Sequence, residues 1–194
     1  DKGLVGSLNT NLIRTLASNT GGWFYTVGKK GRSFVVKTGQ DLKADFENAD
    51  TVTFRQSAQL TKMILEAFQV GEIGQVFLIY PQFISTLKQE PKKKKLLPIS
   101  LENIESVSSK EFLFEPNVDD LLDFILIHHL EEQIYQALLE TKASEHSSRM
   151  VAMKAATDNA KDLVEDLQLT YNQTRQDGIT REILEIATAQ VAME

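Results

Sequence analysis

Cysteine is absent from all 194 residues. That removes disulfides, thiolate metal sites and cysteine nucleophiles together, and it is compatible with a reducing compartment. No apolar run approaches the ~20 residues that a bilayer-spanning helix needs, and the first residues do not read as a signal peptide. An initiator methionine is missing too, as expected of a fragment or a processed product. Proline and glycine are scarce in one region only. All four prolines (Pro81, Pro91, Pro98, Pro116) and nine of the ten glycines precede residue 117, so residues 117–194 are interrupted by Gly178 alone.

Apolar residues make up 42% of the chain and charged residues 25%, enough for a core and without the signature of disorder. The net charge of −6 argues against a nucleic-acid partner, whose phosphates call for basic side chains. The charge is uneven. Residues 1–117 hold 15 basic and 12 acidic side chains, and residues 118–194 hold 6 and 15, which implies two parts with different surroundings.

Proline and glycine are the main helix breakers, so their near-absence predicts one very long helix over the last third. Its 78 residues would run roughly 115 Å at ~1.5 Å each. Pro116 sets an extended entry, Asn117 is the candidate cap, and Asp119 and Asp120 put negative charge in the first turn, where the helix dipole favours it. Leu121, Leu122, Ile125 and Leu126, then Leu163, Val164, Leu167 and Tyr171, then Ile179, Ile183 and Ile186 recur with helical spacing in a narrow stripe. Such a stripe suits pairing with another helix. The chain offers no second long helix, so the partner is a missing segment or another subunit.

The first part reads as α/β. Leu8, Leu12, Ile13 and Leu16 mark a helix, and Trp23 to Val27 a strand. Gly28-Lys29-Lys30-Gly31 reads as a turn before a second apolar run, Phe34 to Val36. Leu60, Met63, Ile64, Ala67 and Phe68 form one helix face, opened by Ser57 and closed by Gly71. Val76 to Tyr80 is apolar throughout, as in a strand covered on both faces. Phe83 to Leu87 and Leu96 to Ile99 read as strands flanking a Pro-Lys loop. The alternation predicts an open sheet flanked by helices. At the start, Gly3-x-x-Gly6 leads into a helix, a turn that ordinarily follows a parallel strand.

No enzyme emerges from spacing. Gly3-x-x-Gly6 lacks both phosphate-binding glycine patterns and reads as a plain turn. His128 and His129 are neighbours on a helix, ~100° apart, and with His146 do not form a metal site. The run Lys92 to Lys95 lacks interleaved aromatics and reads as a solvated hairpin loop. Glu145 and Asp158 stand ~20 Å apart along the helix, too far to share a substrate. Asn172-Gln173-Thr174 matches a glycosylation triplet but has no secretory signal behind it.

One stretch is far more specific than these. Thr141-Lys142-Ala143-Ser144-Glu145-His146-Ser147-Ser148-Arg149-Met150-Val151-Ala152-Met153-Lys154-Ala155-Ala156-Thr157-Asp158-Asn159-Ala160 resembles the C-terminal signature of the γ subunits of F-type ATP synthases. Tyr171 to Gln176 and Ile179 to Ile183 continue it. Asp1-Lys2-Gly3-Leu4, Gly6, Asn9-Thr10-Asn11, Val27 to Gly31 and Gln89-Glu90-Pro91 fit as well.

The resemblance implies an α/β fold, a Rossmann-like open-sheet domain over 1–116 at the foot of a central stalk. A C-terminal helix over 117–194 would form half of an antiparallel coiled coil. The other half would be an N-terminal γ helix, followed by a first strand, both lying before Asp1. Implied partners are the α and β subunits of the catalytic head, the ε subunit and the c-ring, with no nucleic acid. Implied too is a peripheral place on the cytoplasmic face of a bacterial inner membrane, since no cysteine-bearing insertion of the chloroplast type is present. By position, Arg175 and Gln176 match a pair that hydrogen-bonds a β-subunit loop in one rotor orientation, and Thr180 and Glu182 match neighbours on that surface. The family reading assigns this chain no catalytic, cofactor or metal site.

Val5 departs from the family pattern, as do Asp177-Gly178 and the tail Ala187 to Glu194. Two other readings stay open: a non-catalytic α/β scaffold that pairs its long helix with an unrelated partner, and a nucleotide-dependent enzyme.

Overall fold

The computed structural model describes residues 3–18, 21–47, 50–99 and 118–192. Pro116 and Asn117, the expected helix entry, lie outside these residues, as do Asp1 and Lys2. The elements in order are α1 (Leu8–Ala17), β1 (Trp23–Val27), α2 (Lys29–Lys37), β2 (Asp41–Phe46), α3 (Phe54–Gln69), β3 (Val76–Phe83), β4 (Gln89–Leu97) and α4 (Val118–Ala192). They divide into two compact units, Asp1–Met150 and Val151–Glu194.

In the first unit, strand and helix alternate as in a Rossmann-like domain. β1 and β2 are parallel and α2 is their crossover, so the apolar run Phe34 to Val36 is helical and not the second arm of a hairpin. Gly28 takes φ +101° at the head of α2, a backbone setting open to glycine. Only Val35 of the three turns fully inward, and so short a run cannot reveal its period. β2 went unread, although Leu42, Ala44 and Phe46 alternate with exposed Asp41, Lys43 and Asp45.

Two further boundaries differ from expectation. α3 begins at Phe54, with Thr53 at the cap position, rather than at Ser57. Ser57 is buried and donates back to the Phe54 carbonyl at 2.7 Å, a bond a serine makes within a helix and not in front of it. The tetralysine run is not a loop. Lys92, Lys93, Lys94 and Lys95 pair antiparallel with Tyr80, Ile79, Leu78 and Phe77, and the turn lies at residues 84–88. A strand with one free edge tolerates lysine and proline, because nothing on that side needs its N–H groups. Among the described residues β3–β4 and β1–β2 are separate ladders.

The core of this unit gathers Leu60 and Ile64 from α3, Leu96 and Leu97 from β4, and Leu130 and Ile134 from α4, with Tyr25, Val27, Phe46 and Leu78 against it. The spacing Leu130, Ile134, Ala137, Ser144 keeps one face of α4 inward. The second unit is helix alone. α4 runs unbroken past Gly178, and every residue from Met153 to Ala189 is exposed.

Candidate functional site

Arg175, Gln176, Thr180 and Glu182 all lie on α4 and all are exposed. At ~100° per residue they form two rows. Arg175 and Glu182, seven apart, share one row, with Tyr171 four residues before Arg175 and Ile179 four after. Gln176 and Thr180, four apart, share the next row, and the Thr180 hydroxyl donates to the Gln176 carbonyl at 2.9 Å. That bond turns the threonine methyl outward and leaves the Gln176 amide free to meet another surface. The four side chains therefore offer a charged fork, a carboxylate, a primary amide and a threonine over nearly half of the helix circumference.

The helix is fastened elsewhere, between residues 130 and 149. The Ser144 hydroxyl, fully buried, donates to the Pro81 carbonyl on β3 at 3.0 Å. One turn on, the Ser148 hydroxyl donates to Gln89 Oε1 at the start of β4, at 2.9 Å. Arg149 reaches back to Glu145 at 2.6 Å. Burial pushes the Glu145 carboxyl up, but the Arg149 hydrogen bond and nearby positive charges, those of Arg149 and Lys142 among them, hold the group below its ordinary range. Burial, and next the Glu140 charge, push the Tyr80 phenol up. Sequence reading placed Ser144, Ser148 and Gln89 in the family pattern and gave them no role. A signal existed in Ala137, Thr141, Ser144 and Ser148, small side chains at helical spacing where α4 approaches another backbone closely.

A cavity of about 690 Å³ opens beside this junction. Leu60, Ile64, Ile134, Tyr25 and Ile79 line it, with Glu72 and Lys93 as its charged members. β1 and β3, each with a single ladder partner, both border it. The histidines do not converge. His128 stacks on Phe124 and lies 3.5 Å from Glu131, His129 meets Gln133, and His146 is exposed.

The profile of the ATP synthase family matches residues 1–193. The ATP synthase gamma chain of Methylacidiphilum infernorum is 42% identical over 209 residues, covering all of this chain and 71% of that protein. The chain belongs to the ATP synthase gamma chain family. The Chloroflexus aurantiacus gamma chain is 40% identical, again over the whole chain and 70% of its own length. Among solved structures, the central stalk and c-ring of the Tetrahymena thermophila mitochondrial ATP synthase aligns with TM-score 0.64 and 27% identity, over 81% of this chain and 72% of that one. The Euglena gracilis mitochondrial enzyme, in its third rotational state, aligns over the full chain and 70% of its own with TM-score 0.70. At 23% identity that likeness concerns the fold. The Tetrahymena match is thus to a central stalk.

Proposed function

We propose that this chain turns as the central-stalk rotor of an F-type ATP synthase, coupling ion flow through a c-ring to ATP synthesis or hydrolysis on β subunits. The observation that carries the reading is the exposed apolar stripe of α4, Leu163, Val164, Leu167 and Tyr171 and then, past Arg175, Ile179, Ile183 and Ile186, in a chain of this family. A stripe of that length in water calls for a helical partner. In this reading residues 1–116 form the foot, beside ε and the c-ring, and residues 117–194 form the shaft within the α and β head. The cavity bordered by β1 and β3 supports an added strand there, which would merge the two ladders into one open sheet. The complex would sit on the cytoplasmic face of a bacterial inner membrane with protons, or sodium ions, as coupling ion, and this chain would be peripheral.

The shaft acts by differential contact: a surface that meets one β subunit in one orientation biases its nucleotide affinity by the difference in contact energy. Arg175 and Gln176 are the proposed contact, with Thr180 and Glu182 beside them. A charge-assisted bond of ~1.5–3 kcal/mol is strong enough to mark an angle and weak enough to release each turn. Arg175→Ala and Gln176→Ala in the assembled enzyme are expected to slow both hydrolysis and synthesis with subunit content unchanged. Arg175→Lys restores part, since it keeps charge and loses the fork. Steady-state ATPase and ion-pumping assays on reconstituted complexes decide it, and undiminished turnover in both alanine variants removes these residues from the mechanism.

A further inference from the structure

The β3–β4 turn is held more firmly than its exposure requires. Ile84 and Ser85 both donate their N–H to the Lys88 carbonyl, at 3.2 and 3.0 Å, and the Lys88 N–H reaches the Ser85 carbonyl and hydroxyl, at 3.2 and 3.1 Å. Gln89 then joins this turn to α4. Its Nε2 donates to the carbonyls of Ser85 and Thr86, at 2.8 and 2.9 Å, while its Oε1 accepts from Ser148. All the amide's polar atoms are engaged, donors on the turn and acceptor on the helix. The second fastening is to a proline. Pro81 stands opposite Pro91 in the ladder, and neither has an N–H to exchange with the other. The Pro81 carbonyl accepts from Ser144.

From these contacts we infer that Ser144 and Ser148, acting through Pro81 and Gln89, are positioning residues for the coupling reaction, a two-point joint that fixes the rotational setting of α4 against the β3–β4 hairpin. A single hydrogen bond lets a helix pivot. Two on one helix face, four residues and so ~6 Å apart along the axis, resist both twist and slide. The Leu130, Ile134 and Ala137 contacts hold the helix to the core, and the two hydrogen bonds add directional restraint to that packing. The inference rests on the rotor reading, in which torque passes between the hairpin and the helix at this point.

The test uses the assembled enzyme with this chain labelled at one engineered cysteine, Val70→Cys, an exposed position in a chain with no cysteine of its own. A bead on that cysteine reports the angle of the α/β part while the catalytic head is immobilised and stalled. Ser148→Ala is expected to roughly double the variance of the bead angle, since one of two parallel restraints is gone. Ser148→Thr, which keeps the hydroxyl, returns it to the parent value, and Gln89→Leu behaves as Ser148→Ala. Should Ser144→Ala assemble poorly, Ser148→Ala and Gln89→Leu carry the test alone. Unchanged variance in both, with assembly and ATPase intact, overturns the joint. A parent enzyme whose bead does not rotate under ATP overturns the rotor reading instead, before any variant is compared.

Discussion

Two stretches of the same helix, residues 130–149 and 153–189, live under different rules. Both are continuous, and both repeat apolar side chains at helical spacing. In the first, Leu130, Ile134, Ala137 and Ser144 are buried, and hydrogen bonds tie the helix to β3 and β4. In the second, Leu167 and Ile183 are about 60% exposed and no described side chain is buried. Helical backbone thus follows from the lack of breakers, while packing is decided by what stands beside it. One stretch stabilises this chain, and the other keeps its apolar surface for a partner.

The contrast is open to measurement. Ile134→Ala is expected to cost about 2–5 kcal/mol, a lost side chain plus a cavity, whereas Leu167→Ala changes the stability of the chain by less than about 0.5 kcal/mol. Urea titration of both variants reads the difference, and equal losses would erase the distinction between the stretches. Next in size, Gly178→Ala should stabilise the exposed stretch by about 1 kcal/mol, since beyond the helix's own neighbouring backbone no described atom lies within 4 Å of the added carbon. Circular dichroism on heating should show helix persisting to higher temperature. The smallest effect belongs to Glu145. Its lowered pKa means that the Arg149 pair stabilises the fold above the ordinary carboxylate range and that this contribution fades as pH falls through the folded value. Glu145→Gln should therefore flatten the acid limb of a stability-against-pH curve and leave the region above pH ~6 similarly shaped.

Much of this was legible in the residues. The helix was, because a missing breaker over 78 positions is a long-range signal that no local contact can reverse. α3 was, because Leu60, Ile64 and Ala67 repeat over two turns and all three are buried. β2 was not, since three alternating apolar residues give a weak period. The lysine run misled because four like charges suggest a solvated loop, yet a strand with a free edge solvates them equally well. The Ser148–Gln89 contact was not legible, for the small-residue spacing on α4 marks a close approach without naming a partner 59 positions away. Arg175 and its neighbours are proposed on resemblance alone, as exposed polar residues on a helix carry no physical mark of a use.

The free side of β4 has one more consequence. Before its partners capture it, the chain carries exposed apolar surface and unpaired strand borders, the conditions that lead to fibrous association during synthesis. β4, paired only with β3 among the described residues, presents Pro91 and four successive lysines at its border. A second chain adding there would meet a missing donor and a column of like charge. The lysines that resembled a loop thus disfavour the addition of a further strand at this border.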